Sequence, residues 1–432
     1  MRIPVLMGRG CSRYNRHALP RSWAQFPCQI ACLAAVTLLP ATIAHGQTAP
    51  AMSTLLIMPF ESHSKVVGAD WISEACPEVL SQRMASPKVY VIDRADRVFA
   101  FDHAGVPVAV RPSRATTFRV AEQMGVDYVV LGSYEVTDST FQVTAQLLDV
   151  RDLKLHPVIQ SRGPLADFVE LQTAVAWHLL HEMPNPQPGT QQQFVKSAPA
   201  IRLDAFENYV RGVVTTSRQS KIHYFKEALR LNPNYSVAAL ELGKVFYNTH
   251  DYEQAAAWFG KVPQNDPSAG EATFLLGMSE YYRGSLDRAD TAFNSLVTRL
   301  PLTEVYNNLG VVDARRGRYA AAAEYFSKAV NADPSDADYR FNYALALYKG
   351  GDSGGATRQL REELQHRPSD AEAKSLLDMI SRGVTPPSGT SAASISGQPR
   401  VPVERIKRSY GENSYRQLQM EINNLSQQRS SK

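Results

Sequence analysis

The chain has 432 residues, room for two or three domains, and carries a formal charge of +4. Residues 1–46 hold five arginines and no acid, so the remainder has 41 basic against 42 acidic residues. That leaves no basic surplus to hold a nucleic acid backbone.

Arg2, Arg9, Arg13, Arg16 and Arg21 precede an apolar run from Ile30 to Ala44. Ala44-His45-Gly46 then offers small residues for cleavage before Gln47, so 1–46 is expected to be a secretory signal. The run is short for a membrane span, which needs about 20 residues. Membrane association is therefore expected only if the leader stays uncleaved. Once it is removed, Cys76 is the remaining cysteine, and no internal disulfide is expected.

Residues 54–182 read as an α/β domain. Strands are predicted at Thr54–Phe60, Lys88–Asp93, Asp127–Glu135, Thr140–Val150 and Lys154–Ser161. Helices are predicted at Asp70–Ala85, Ser113–Met124 and about Leu165–Leu180. Asp93, Asp96, Asp102 and His103 fall between predicted elements and are read as a solvated loop. The words Leu55-Leu56-Ile57-Met58-Pro59-Phe60, Gly125-Val126-Asp127-Tyr128-Val129-Val130-Leu131-Gly132-Ser133 and Thr144-Ala145-Gln146-Leu147-Leu148-Asp149 resemble the TolB amino-terminal-like domain, related to the FlgO and CsgG envelope proteins. The resemblance implies an envelope-associated binding domain and brings no catalytic set with it.

Residues 183–201, with four prolines and a glutamine run, read as a linker. Independent melting of what lies on either side is the expectation. Residues 202–382 then repeat one unit about five times and close with a helix at Glu372–Ser381. Leu242-Gly243 recurs as Leu276-Gly277 and Leu309-Gly310. Ala255, Ala289 and Ala322 follow, then Phe259, Phe293 and Phe326, then Pro267, Pro301 and Pro334. Tyr343-Ala344, Ala356, Leu360 and Pro368 continue the register with other residues. Gly212, Phe225, Ala228 and Pro233 anticipate it with a shorter turn. Glycine inside a helix costs about 1 kcal/mol against alanine, so its recurrence signals a close approach. Each unit is a helix pair that cannot bury its apolar face alone, and stacking makes a solenoid. Residues 383–402, rich in Ser, Pro and Gly, read as a disordered linker, and 403–428 either as an amphipathic helix that docks on the repeats or on a partner, or as a mostly solvated tail.

Spacing and markers together resemble the tetratricopeptide repeat. In that family the first helix of each pair lines a concave groove, so the resemblance implies a partner-binding set. It comprises Lys244, Tyr247 and Asn248 in the second unit, and Phe274, Met278, Tyr281 and Tyr282 in the third. Asn307 and Arg315 follow in the fourth, and Phe341 and Tyr348 in the fifth. Glu271, Asp338 and Lys349 occupy other groove positions. The aromatic members are types enriched in interface cores, and Tyr247, Phe274 and Tyr281 are expected to face an open surface; the alternative is that several of the set pack against the adjoining repeat.

Gly351-Asp352-Ser353-Gly354-Gly355 spells a serine-protease word, but at the turn of a helix pair it reads as a turn, without the His and Asp that such chemistry requires. His178 and His181 have a spacing that suits a metal, with no third ligand in view. No cofactor and no metal are expected. The sequence points to a non-enzymatic scaffold of the bacterial envelope, in the periplasm or at the outer-membrane periphery, taking protein or peptide partners in its repeat groove. The alternative is a small-ligand receptor or enzyme with its site in the α/β domain, which a pocket at the strand ends near Asp93 or Ser133 would favour.

Overall fold

The computed structural model describes residues 52–107, 111–184, 188–385, 401–408 and 410. The expected leader and the part of the expected tail helix beyond 410 lie outside them. An α/β domain precedes an all-α solenoid. At the centre of the first is β1 (Ser53–Ile57), buried along its whole length. Its alternate side chains enter two different cores. Leu55 and Ile57 join the layer of α1 (Ile72–Met84) and α4 (Phe168–His181). Leu56 and Met58 join that of α2 (Arg94–His103) and α3 (Arg114–Gln123). A continuous apolar run is what a strand covered on both faces requires.

β1 is flanked by β3 (Val89–Val91) and β4 (Tyr128–Thr137), parallel to both. The short β2 (Glu61–Ser62) also pairs with β4. β4 turns through Asp138, at φ 54°, into the antiparallel β5 (Thr140–Asp149). β6 (Lys154–Leu155) and β7 (Ile159–Pro164) both pair with β5, so the last predicted strand is broken in two around Pro157.

The loop reading of the aspartates needs correction, because Asp93 caps α2 by accepting from the Asp96 N–H at 2.7 Å. Only Arg97 and Phe101 of that helix are buried. Arg97 bonds the Ile57 carbonyl at 2.7 Å and pairs with Glu74. A helix whose buried face carries one apolar residue and one charge has little of the periodicity that marks helices in sequence.

The predicted linker is also not featureless. It contains α5 (Gln191–Ser197), capped by Thr190, with Phe194 against the core. The next helix, α6 (Leu203–Val214), places Phe206 6.2 Å from Phe168 and 6.4 Å from Trp71. Tyr209 donates to Glu78, and Arg211 to the Gly68 carbonyl. One apolar core therefore runs from the sheet into the repeats, contrary to the expectation of independent melting.

α6 pairs with α7 (Arg218–Leu231), α8 (Ser236–Asn248) with α9 (Tyr252–Phe259), and α10 (Ala269–Tyr282) with α11 (Leu286–Val297). α12 (Thr303–Arg315) and α13 (Tyr319–Ala332), then α14 (Ala337–Lys349) and α15 (Ser353–His366), complete five pairs, and α16 (Ala371–Ser381) closes the stack. The glycines serve contacts within each pair. A Cβ on Gly243, Gly277 or Gly310 would lie 2.5–2.6 Å from the ring of Phe259, Phe293 or Phe326. Gly212 meets Phe225 in the same way despite its shorter turn. The fifth pair has Ala344 and Leu360, both fully buried, where the others have Gly and Phe. The protease-like word is a helix entry: Gly351 turns at φ 93°, and Asp352 accepts from the Gly355 N–H at 2.7 Å.

Candidate partner-binding groove

Residues 401–408 and Tyr410 lie along the first helices of the third, fourth and fifth pairs, running from the fifth pair back to the third. Val401 packs beside α14 and α16. Tyr410 reaches α10, its ring 5.6 Å from that of Phe274. Residues 401–408 form no helix, which corrects the amphipathic-helix expectation for that part of the tail. The backbone groups of Arg405 and Lys407 are engaged by side chains of the groove instead.

Three asparagines make that engagement. Asn342 accepts from the Arg405 N–H and donates to the Arg405 carbonyl, both at 2.7 Å. Asn307 donates to the same carbonyl at 3.0 Å. Asn308 accepts from the Lys407 N–H at 2.9 Å and donates to its carbonyl at 2.8 Å. Paired N–H and C=O groups at alternate residues are what a neighbouring strand would meet. All three asparagines are fully buried, and a buried amide of this kind must be hydrogen-bonded to be tolerated.

Side chains add a charge pattern. Arg405 reaches Asp338 at 3.0 Å, Asp370 at 2.8 Å and Glu372 at 3.0 Å, with its guanidinium 3.7 Å over the Phe341 ring. Lys407 pairs with Asp336 at 2.8 Å and Asp338 at 3.1 Å, over Tyr339. Burial pushes the Asp338 carboxyl up, but Lys407 and Arg367 more than offset it and hold it at about 2. On the opposite side of the segment, buried Glu404 pairs with Lys349 at 2.6 Å and lies 3.8 Å from Arg315. Ile406 packs in the same apolar cluster as Tyr281 and Tyr343. Beneath Asp370, burial and then that neighbouring carboxylate raise Glu363 to about 7.

The tetratricopeptide-repeat family model matches residues 222–270, 274–337 and 307–371. These residues are tetratricopeptide repeats. No curated protein matches the chain. Among solved structures, it is similar to MamA from Desulfovibrio magneticus RS-1, at 20% identity over 40% of this chain and 99% of that one, with a TM-score of 0.37. YrrB, a TPR protein with an unusual peptide-binding site, is 19% identical over 42% of this chain and 95% of its own, with a TM-score of 0.37. The LpoB carboxy-terminal domain from Salmonella enterica is 16% identical over 27% of this chain and 87% of its own, with a TM-score of 0.23.

The residues assigned to the tetratricopeptide groove do not all face the tail. Asn307, Arg315 and Phe341 lie against the tail, as do Asp338 and Lys349. Phe274 touches Tyr410 on one side and Phe293 on the other, 5.9 Å away. Tyr281 lies beside both Arg315 and the Ile406 cluster. A second group contacts other repeat residues. Tyr247 and Tyr282 gather around Tyr252, and Lys244 is held by Glu241 at 2.9 Å and Glu271 at 2.8 Å. Met278 is fully buried and accepts from Asn308. Tyr348, also fully buried, donates to the Val384 carbonyl at 2.7 Å, and Asn248 is exposed at the end of α8. Phe274 is therefore no open-surface anchor, because it has no accessible area; Tyr247 and Tyr281 are partly buried.

Asn308 and Asn342, which make the two-point contacts, were not among the groove positions read from the sequence. A signal for them exists. They occupy the same sixth position of consecutive units, on helix faces where a buried asparagine needs a partner.

Proposed function

We propose that this protein is a non-enzymatic interaction scaffold of the bacterial cell envelope, with a repeat groove that holds an extended peptide. The observation that carries this is the asparagine clamp on the backbone of residues 405 and 407. Hydrogen bonds to peptide backbone supply affinity without demanding a sequence, and the flanking carboxylates add selectivity. Tetratricopeptide repeats as protein-interaction modules support the same reading. To test it, a displayed library of extended peptides is selected on the full chain carrying Arg405→Ala, Ile406→Ala and Lys407→Ala, and binders are re-measured after Asn342→Ala. Binders whose affinity survives Asn342→Ala, or no binders at all, would refute a groove site.

The envelope assignment rests on the leader at 1–46 and on the TolB-like words of the α/β domain. Export predicts a mature protein beginning at Gln47. A chain beginning at Met1 and released only by detergent would replace export with membrane anchoring.

One observation favours a second reading, a small-ligand receptor. A cavity of about 1110 Å³ opens where β1 ends beside β4, lined by Pro59, Arg94, Arg97, Arg111, Arg114 and Ser133 among others. The strand order β3-β1-β4 places it at a topological switch point, where open α/β sheets commonly bind ligands. Arg94 and Arg97 pair with Glu74, and Arg111 with Glu61, which leaves Arg114 of these to meet an anion. A thermal-shift panel of anionic metabolites, repeated on Arg114→Ala, tests it; no shift with any of them would remove this reading.

A further inference from the structure

Backbone clamping by Asn307, Asn308 and Asn342 does not depend on which residues the tail carries, so any extended segment could satisfy it. The side chains around it are more selective. Four carboxylates, those of Asp336, Asp338, Asp370 and Glu372, converge on the two cations at alternate positions, Arg405 and Lys407. Opposite them, Lys349 and Arg315 hold one carboxylate, Glu404, and an apolar cluster takes Ile406. Three residues beyond Lys407, an aromatic ring rests on Phe274 and Gly270. The groove thus reads acid, base, apolar, base and, three on, aromatic, with period two across the first four. The tail makes these contacts with Glu404 buried and with Arg405 and Lys407 half-buried. Without the tail, Arg367 would be left as the partner of Asp338 and Asp370, and the four clustered acids would repel one another.

We infer that residues 401–410 are a pseudo-ligand held in cis, and that the partner is an extended segment with the same charge register which binds by displacing them. This rests on the reading of the groove as a peptide site. A covalently joined occupant competes as an intramolecular ligand, at an effective concentration set by the residues that join it. If the tail fills the groove nine-tenths of the time, an incoming peptide binds about tenfold more weakly than to the freed groove.

The probe is a fluorescein-labelled peptide of the sequence 401–410, measured by anisotropy against two full chains. One is wild type; the other carries Arg405→Ala, Ile406→Ala and Lys407→Ala, with its fold checked by circular dichroism. The expected result is binding at least about tenfold tighter to the substituted chain. A peptide with both cations replaced by glutamate should lose that affinity, and Asn342→Ala in the substituted chain should abolish it. Equal affinity for the two chains, or equal binding of the charge-reversed peptide, would overturn the inference. A dimer that disappears with the tail substitutions would place the tail in a second copy's groove and overturn the cis arrangement. If the substituted chain instead selects unrelated library peptides that depend on Asn342, the pseudo-ligand fails while the groove reading stands. If it selects none, both fail.

Discussion

The Gly–Phe contact inside each repeat gives a quantitative test on one pair. Gly310 lies in α12 under the ring of Phe326 from α13, and an alanine Cβ there would sit 2.6 Å from Cε1, 2.8 Å from Cδ1 and 2.9 Å from Cζ. Phe326 is fully buried, so its ring cannot retreat into solvent. Two effects of Gly310→Ala oppose each other. Helix propensity favours alanine by about 1 kcal/mol, while overpacking a filled core costs about 1–3 kcal/mol. A net loss of about 1 kcal/mol is expected. Phe326→Leu alone should cost about 1–2 kcal/mol, less than the 3–5 of full truncation. Together the two changes reproduce the Ala344/Leu360 pair of the fifth repeat, where a Cβ is accommodated beside a smaller side chain. The double variant should therefore be more stable than the sum of the singles by about 1–2 kcal/mol, a coupling typical of residues in contact. Urea unfolding of the four chains followed by circular dichroism measures the cycle. Additivity within about 0.5 kcal/mol, or a stabilised Gly310→Ala, would refute the steric account of these glycines.

Phe293→Ala should cost about 3–5 kcal/mol, and a change below about 1 would mean that the helix faces are misassigned. Phe206→Ala removes the ring shared with Trp71 and Phe168, so calorimetry should show the α/β domain and the repeats losing stability together; a shift confined to one of two separate transitions would disprove the common core. Glu363 titrates near 7 in the fold against an ordinary value of 4.5, so the folded state holds the proton more tightly. Stability should therefore decline as pH rises from about 4.5 to 7, and Glu363→Gln should flatten that decline. Arg405 and Arg367 both draw Glu363 down, so Arg405→Ala should raise its titration midpoint further, as read by nuclear magnetic resonance. Combined alanine replacement of Tyr247, Phe274 and Tyr281 should destabilise the fold, since Phe274 alone carries the cost of a buried phenylalanine; a melting temperature matching wild type would return Phe274 to an open surface.

The solenoid was legible because its contacts are local and periodic. Gly243 and Phe259, Gly277 and Phe293, and Gly310 and Phe326 each stand sixteen residues apart, so one steric requirement is written into the chain three times. The continuous apolar run of β1 and the period-two β4–β5 hairpin were legible for a similar reason, since both need only short-range reading. The sequence alone thus determined the order of the two architectures and the register of the repeats. It did not determine what covers the groove. Asn342 and Arg405 are 63 residues apart, and Asn308 and Lys407 are 99 apart, and no period links them. Hydrophobic spacing at 403, 406 and 410 suits a helix, yet the tail's backbone bonds to three side-chain amides that only the folded solenoid brings into line. The junction through Trp71, Phe168 and Phe206 is likewise tertiary, because each ring is an ordinary core residue until packing places all three within one contact distance.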